Sequence, residues 1–265
     1  MHRFFVSSEV LGQPPRNPAG AMLITLVGDQ AHQVRRVLRM RPGEHIVLLD
    51  NRGWAYEAVL IAYGEADARF ETISRWAVSS EPRVHITLYQ AMLRGEHFAW
   101  ALQKGTEVGI SRFVPTVCER NVVSDLPSIE RKRDRWVRVI QEAAEQSGRA
   151  RLPELAPAQT FAAAVQAAAS PGLGEPPPIR LILWEGVPAV SGTTLRQALL
   201  GVDRNLASGA CIQVYVGPEG GLTAAEVGLA QSYGVQPVTL GARILRAETA
   251  GVVAAAIILY EAGDI

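Results

Sequence analysis

Two short loops hold most of the residues whose types and spacing could do chemistry. The first, Val216-Gly217-Pro218-Glu219-Gly220-Gly221-Leu222-Thr223, leaves an apolar run and enters a helical pattern. Its glycines let the main chain turn sharply and approach a ligand closely. Thr223 and Glu226 have the spacing of a capping box, so amides at this helix start could meet electron-rich atoms. The loop also fits a plain strand-to-helix turn, and it lacks the Gly-Lys-Ser/Thr of a nucleotide-phosphate loop.

The second loop runs from Leu240 to Ala250 and reads Leu-Gly-Ala-Arg-Ile-Leu-Arg-Ala-Glu-Thr-Ala. It follows a predicted strand and opens an apolar helix predicted over 251–260, which must be buried on nearly all sides, for example against a second subunit. Arg243, Arg246 and Glu248 place charges at the mouth of this helix, although such charges are often only a solvated rim. Two glycine-containing loops at strand ends of one sheet are more informative together, because ligands of open α/β sheets bind at that edge.

The elements that position these loops alternate after residue 80. Strands are predicted at 84–90, 112–117, 179–184, 211–216 and 235–240, and helices at 96–109, 128–147 and 195–199. Such alternation predicts a mainly parallel sheet covered by helices on both faces. A Gly/Pro-rich stretch at 171–178 is predicted to be a surface loop.

The first 75 residues instead predict a small β-rich unit. Strands at 44–49 and 54–62 flank a turn, Asp50-Asn51-Arg52-Gly53. Asp29 is predicted to cap a short helix that carries several arginines. Because Ser79-Ser80-Glu81-Pro82 breaks the pattern, we place the domains at 1–75 and 80–265.

Composition excludes several classes of protein. The chain has 265 residues, 48% of them hydrophobic, with 26 acidic and 26 basic side chains, which excludes global disorder and a uniformly basic coat. Its two cysteines and five histidines lack the spacing of a disulfide framework or a metal site, so no metal is expected. With no secretory signal pattern and a longest apolar run of only 250–260, we expect a cytoplasmic protein without a membrane span.

The two loops together resemble the ribosomal small subunit methyltransferase E family, which belongs to the SPOUT class. The resemblance runs nearly end to end, with Gly105-Thr106 and Val108 as small departures and with individual stretches at 171–178 and 191–208. Its further motifs are Arg3-Phe4-Phe5-Val6, the segment from His32 to Arg39, Gln103 to Gly109, Glu119-Arg120, Glu142 to Arg149, and Pro153-Glu154.

This resemblance implies an α/β fold in which a C-terminal SPOUT domain with a trefoil knot follows an N-terminal PUA-like β-barrel. It implies a homodimer with its site near the subunit interface, and S-adenosylmethionine held bent in the knot by main-chain groups. The implied reaction is methylation of uridine N3 in small-subunit (16S) ribosomal RNA, in the assembled or nearly assembled subunit. The alternatives are a dimeric RNA-binding protein without methyl transfer and methylation of a different RNA position.

The resemblance also implies roles for individual residues. Arg246 is the leading candidate to hold an anionic uracil, and Glu219 or Glu248 could accept the N3 proton. In the competing interpretation, Glu248 helps to cap the last helix and Glu219 bonds amides within its own loop. The expected cofactor contacts, many through the main chain, come from Leu183, Trp184, Glu185, Val216, Gly217, Pro218, Gly220, Leu240, Gly241, Ile244, Leu245 and Arg246.

RNA contacts are expected from basic surfaces, since phosphate contacts supply affinity and salt dependence. Runs of charge are otherwise typical of solvated helix faces, as around 131–138. The residues expected to bind RNA are Arg35, Arg36, Arg39, Lys104, Gln146 and Arg149.

Overall fold

Two compact units make up the chain. The structure is a computed structural model that describes residues 1–11, 21–168, 177–186, 192–201, 206 and 209–265. One unit comprises Met1–Glu81 with Ala144–Leu152, and the other comprises Pro82–Ala143 with Pro153–Ile265. Each has hydrophobic clusters of its own. Most of the predicted 171–178 loop, and residues 191, 202–205 and 207–208 of the second individual stretch, lie outside the described residues.

The first unit is built on a five-stranded sheet. Strand order is β1-β3-β4-β5-β2, with β1 parallel to β3 and the other pairs antiparallel. Side chains of β5 alternate between buried and exposed from Ala68 to Ile73, as expected for a half-buried strand. The elements are β1 (His2–Phe5), α1 (Ser8–Leu11), β2 (Leu23–Val27), α2 (Gly28–His32) with its π-helical continuation (Gln33–Val37), β3 (His45–Leu49), β4 (Trp54–Tyr63) and β5 (Asp67–Ala77).

Two local sequence signals in this unit have different outcomes. The predicted hairpin of β3 and β4 is confirmed, and the Asp50 carboxylate accepts hydrogen bonds from the amides of Arg52 and Trp54 at 2.8 and 3.0 Å. The predicted cap of α2 is wrong. Val27 occupies the N-cap position without a side-chain hydrogen bond, and Asp29 lies in the first turn. There its carboxylate still faces the positive end of the helix dipole.

The second unit contains a parallel sheet in the order β12-β10-β11-β6-β7-β8, with β9 also paired to β7. Helices cover it, as the alternation predicts. The elements are β6 (His85–Ala91), α3 (His97–Val108), β7 (Arg112–Val117), α4 (Leu126–Glu130), α5 (Arg133–Ser147), β8 (Glu154–Leu155), β9 (Gln159–Thr160), α6 (Phe161–Ala168), β10 (Ile179–Leu183), α7 (Leu195–Leu200), β11 (Cys211–Val216), α8 (Ala224–Ser232), β12 (Gln236–Val238) and α9 (Ala247–Ala262).

Three predicted boundaries in this unit are corrected. The helix predicted over 128–147 is two helices, because the chain turns between α4 and α5, and the N-cap is Asp125, whose carboxylate accepts from the Ser128 amide at 3.0 Å. The last helix begins at Ala247 rather than Gly251, which places Glu248 in its first turn. The strand predicted over 235–240 is confined to Gln236–Val238.

Packing around α9 explains its apolar composition. It contacts α3, α7, β6 and β11, and Ala254, Ile258 and Leu259 are fully buried. It ends at Gly263, whose φ of +71° is the left-handed conformation that commonly terminates helices. Among the described residues, none of the helices is both long and apolar enough to cross a bilayer.

Asp264 should make stability depend on pH. Burial raises its pKa, but the Arg83 side chain and the amides of Arg83 and Val84 bond its carboxylate at 2.8–3.1 Å and hold the pKa below the usual value. A lowered folded-state pKa stabilises above the unfolded-state pKa, about 3.9, and this contribution is lost as pH falls through the folded-state value. Asp264→Asn should therefore lower the free energy of unfolding at pH 7 by at least about 1.5 kcal/mol.

Chemical denaturation between pH 7 and pH 3 measures this effect. The deficit of Asp264→Asn should shrink as the pH falls, whereas Asp134→Asn, at an exposed aspartate, should behave like the wild type. A deficit that stays constant down to pH 3 would contradict the assignment.

Candidate functional site

A cleft of about 790 Å³ opens where β10, β11 and β12 end. It lies within the second unit, at the carboxyl edge of the parallel sheet, where open α/β sheets bind ligands. Both glycine loops border it, as expected. Lining residues come from 183–185, 216–219, 221–222, 238–248 and 250, together with His97.

The first loop is a tight turn that close packing and hydrogen bonds define. A Cβ at Gly217 would lie 2.7 Å from Cγ of Leu222, so only glycine fits without displacing this side chain. Gly221 has a φ of +71°, and its amide bonds the Pro218 carbonyl at 2.9 Å. The predicted capping box is confirmed, since the side chains of Thr223 and Glu226 each accept from the other's main chain.

Glu226 also joins this loop to the chain after β7. Its Oε1 accepts from the Glu119 amide at 2.8 Å, and its Oε2 accepts from the Thr223 amide at 2.9 Å. Nearby, the Arg120 guanidinium donates to the Gly220 carbonyl at 2.9 Å. Gly220 faces Arg120 and, alone among the predicted cofactor contacts, does not line the cleft.

At Gly241 no side chain covers the main chain of the second loop. Its φ is +112°, a conformation that side chains strain, and a Cβ there would meet nothing within 4 Å. Thr239 fixes this turn, because its hydroxyl accepts from the Gly241 amide at 3.2 Å and donates to the Gly241 carbonyl at 3.1 Å. A ligand can therefore approach this stretch of backbone directly, as the sequence analysis expects.

Charged side chains line the cleft beside apolar ones. Arg246 is 80% exposed and its Nη1 lies 3.9 Å from Oε1 of Glu248, which is only 10% exposed. Glu219 lines the same cleft and accepts from the Arg94 amide at 2.8 Å, so its partner lies outside its own loop. Glu248 does not act as a side-chain cap of α9; its Oε1 pairs with Nδ1 of His97 at 3.0 Å.

The start of α3 forms a third wall of the cleft, at His97, that the sequence did not predict. The turn before α3 supplies the Arg94 amide to Glu219, and His97 supplies its ring to Glu248. The signal that could have found it is positional, since this turn follows β6 and therefore lies at the same edge of the sheet as the two glycine loops.

The buried thiol of Cys118 is not a reactive group. Burial and, to a lesser extent, the Glu226 carboxylate raise the pKa of the Cys118 thiol far above its usual value. Because the thiolate is the reactive form, Cys118 stays inert. The part of the chain that the structure describes also contains no cluster of three His, Cys, Asp or Glu residues that could hold a metal ion.

The predicted RNA contacts of the first unit differ in their surroundings. Arg36 and Arg39 are exposed, whereas Arg35 donates to the carbonyls of Glu65 and Asp67 at 3.0 and 3.2 Å and lies over the Tyr63 ring. Arg35 therefore also holds its own unit together.

The remaining predicted contacts are equally mixed. Gln146 is exposed, and Lys104 pairs with Glu107 at 2.8 Å. Arg149 is 4% exposed and its guanidinium pairs with Glu81 at 2.8 Å, which favours a structural role for this side chain.

Comparisons with known proteins agree with this arrangement. The family model of the RNA methyltransferase domain matches residues 80–259, and that of the RNA methyltransferase PUA domain matches residues 26–70. Ribosomal RNA small subunit methyltransferase E of Synechocystis sp. is 37% identical over 238 residues, which are 88% of this chain and 71% of that protein. The Bacillus subtilis protein of the same name is 28% identical over 247 residues, 91% of each chain.

A solved structure supports the same relationship. Ribosomal RNA small subunit methyltransferase E from Neisseria gonorrhoeae, crystallised bound to S-adenosyl methionine, superimposes with a TM-score of 0.78 at 31% identity. The match covers 98% of this chain and 97% of that one. With one RNA methyltransferase domain over more than half of its length and a 37% identical relative over 88% of it, the chain belongs to the ribosomal RNA small subunit methyltransferase E family.

Proposed function

We propose that this protein transfers a methyl group from S-adenosylmethionine to N3 of a uridine in small-subunit (16S) ribosomal RNA. The observation that carries the proposal is that both glycine loops border one cleft and bring Arg246, Glu219 and Glu248 to it. The relatives named for small-subunit ribosomal RNA methylation support the class of substrate. The choice of N3 rests on the family resemblance.

The cleft suits S-adenosylmethionine in size and chemistry. Its volume of about 790 Å³ is within the range of small-molecule sites. Leu183, Leu240 and Leu245 offer apolar surface, while the missing side chain at Gly241 lets a ligand approach the main chain of the second loop closely. When bound, the cofactor supplies an activated methyl group on a sulfonium. The carboxylates of Glu185 and Glu219 on the cleft wall favour such a positive charge.

In this proposal Arg246 acts on the base. Uridine N3 carries a proton in the neutral base, so the lone pair for methylation appears only when that proton leaves. The resulting anion is spread over O2, N3 and O4, and a guanidinium held near it stabilises this charge. Because N3 lies on the pairing edge, the uridine must be unpaired or flipped out to reach Arg246.

RNA affinity is proposed to come in part from the first unit. Replacing Arg36 and Arg39 together with alanine should weaken RNA binding and reduce the slope of log affinity against log salt by about 1.4–1.8, because each phosphate contact contributes about 0.7–0.9. Fluorescence anisotropy with a small-subunit RNA fragment at several salt concentrations measures both quantities. Unchanged affinity and slope would remove this surface from the RNA contact.

Arg35→Ala is the informative comparison. Because Arg35 donates to three carbonyls and stacks on Tyr63, its loss should also lower the thermal stability of the first unit. The double variant at the exposed positions 36 and 39 should leave that stability near the wild-type value.

The remaining parts of the proposal concern assembly. A homodimer is supported by large apolar side chains left exposed near the cleft and on α9, namely Ile244 and Tyr260. The trefoil knot stays a prediction, because residues 187–191 after β10 lie outside the described residues. A cytoplasmic location follows from the proposed ribosomal substrate.

One experiment tests the reaction. Unmodified small ribosomal subunits and naked 16S RNA are each incubated with the protein and isotopically labelled S-adenosylmethionine, and the nucleosides are identified by mass spectrometry after digestion. We expect N3-methyluridine at a single position. A methyl group on another atom would overturn the N3 assignment. Calorimetry without RNA separates the non-catalytic alternative, since a protein that only binds RNA gives no saturable heat with S-adenosylmethionine.

A further inference from the structure

The first residue of α3 is a histidine that lies beside the buried carboxylate of the cleft. Nδ1 of His97 lies 3.0 Å from Oε1 of Glu248, and the two side chains are 49% and 10% exposed. Both residues line the cleft. One side of the His97 ring is therefore held by a buried partner, while much of the ring remains open to a ligand.

This pairing determines which nitrogen of the His97 ring carries the proton. An ionised carboxylate only accepts hydrogen bonds, so Nδ1 must donate to Glu248 and carries the proton. In a neutral imidazole the other nitrogen then holds the free lone pair. Nε2 has no hydrogen-bond partner within the described part of the chain. A histidine oriented in this way by a carboxylate is an effective general base.

The two carboxylates proposed from sequence are already engaged. One oxygen of Glu219 accepts from the Arg94 amide, and one oxygen of Glu248 accepts from His97. These two partners are close in sequence, since Arg94 lies in the turn before α3 and His97 is the first residue of α3. This arrangement suits carboxylates that position other groups, whereas His97 is left with an unoccupied acceptor.

We propose that His97 is the catalytic base that accepts the N3 proton of the target uridine, an inference that rests on the proposed methyl transfer. The N3–H bond breaks and its proton goes to Nε2 of His97. The electron pair left on N3 forms the bond to the methyl carbon, and the pair of the broken carbon–sulfur bond stays on sulfur. The positive charge of the sulfonium thus ends on the imidazolium of His97.

The charged groups around His97 fit this division of roles. Glu248 is a positioning residue that also stabilises the imidazolium through a charge-assisted hydrogen bond. Arg246, with Nη1 3.9 Å from Glu248, serves the uracil anion. Glu219 and Arg243 line the same cleft. In the turn before α3, the Arg94 amide bonds Glu219, and Glu96 pairs with Arg135.

His97→Asn tests the proposal, because asparagine can still donate to Glu248 but cannot take the proton. The single-turnover rate of N3 methylation should fall about 10²-fold or more, with unchanged affinity for S-adenosylmethionine by calorimetry.

His45→Asn is the matched control. His45 forms the same kind of pair, with Nδ1 2.8 Å from Oε1 of Glu57, on the sheet of the other unit. Its replacement should leave the rate of N3 methylation unchanged. A fall of similar size in both variants would overturn the proposal, because it would show that the loss comes from the substitution and not from the cleft.

Two further measurements exclude a merely structural role. RNA with 5-fluorouridine at the target has a more acidic N3–H, so the deficit of His97→Asn should shrink by about tenfold if proton removal is what the variant lacks. Nitrogen-15 NMR of the free protein should show the Nδ1–H tautomer of His97. An equal deficit on both RNAs, or an Nε2–H tautomer, would overturn the inference.

The outcome also separates this inference from the proposed function. A wild-type protein that methylates uridine N3 while His97→Asn is equally fast leaves the function intact and removes His97 as the base. A wild-type protein that methylates no uridine N3 overturns both.

Discussion

Arg246→Ala should lower the rate of methyl transfer about 10²–10³-fold. This is the usual effect of removing one preorganised donor from a charge that develops during the reaction. The side chain is 80% exposed and makes no capping hydrogen bond to α9, so the variant should fold normally. Affinity for S-adenosylmethionine should stay close to the wild-type value, since the main chain at position 246 is retained. Single-turnover assays with calorimetry of the cofactor separate the two effects.

Two other variants define what the guanidinium contributes. Arg246→Lys keeps a positive charge but loses the planar fork, so its rate should lie between those of the alanine variant and the wild type. Arg196→Ala removes an exposed arginine of α7 that pairs with Glu261 and does not line the cleft, and it should react like the wild type. If Arg246→Ala loses cofactor affinity while its rate at saturation is normal, Arg246 binds the cofactor and does not stabilise the uracil anion.

The glycine loops could be located from sequence because their placement follows from strand alternation. Strands that alternate with helices must run parallel, so the loops after β11 and β12 lie at the same edge of the sheet. The glycines at 217 and 241 then mark close approaches, and both border the cleft. Here local pattern and global topology give the same answer.

The end of β6 places His97 at the same edge of the sheet, but chain order does not show which loops at that edge are neighbours. β6 is the first strand of its unit, yet it lies beside β11, which brings the turn before α3 to the first glycine loop. The pairing of Arg149 with Glu81 is hidden for a related reason. The two residues are 68 positions apart, so a basic residue in a polar stretch looks like a surface cation until the fold is known.

The start of a helix is hard to predict from sequence where several residues of N-cap type lie close together. Asp125 and Ser128 both belong to the residue types that cap helices, and only the backbone conformation shows that Asp125 is the cap. At α2 the chain enters the helix from Val27 through Gly28 at a φ of +58°, so the preferred residue type, Asp29, comes too late.

Glu226→Ala should be among the most destabilising single substitutions in the second unit. Glu226 is buried, and its two oxygens accept from the amides of Glu119 and Thr223, which lie on different loops beside the cleft. Each amide left without an acceptor costs about 1–3 kcal/mol, so the loss of two acceptors should lower the free energy of unfolding by about 2–6 kcal/mol. At about 2–4 °C per kcal/mol, the melting temperature should drop by about 4–24 °C.

A second capping box provides the matched control for this prediction. Gln197 accepts from the Thr194 amide at 2.9 Å in the same motif at the start of α7, but that pair is solvent-exposed and joins no second loop. Gln197→Ala should therefore cost only about 1 kcal/mol. If differential scanning calorimetry shows two transitions, only the one from the second unit should move. Equal losses in the two variants would mean that Glu226 is only a helix cap, and that its bond to Glu119 does not brace the first glycine loop.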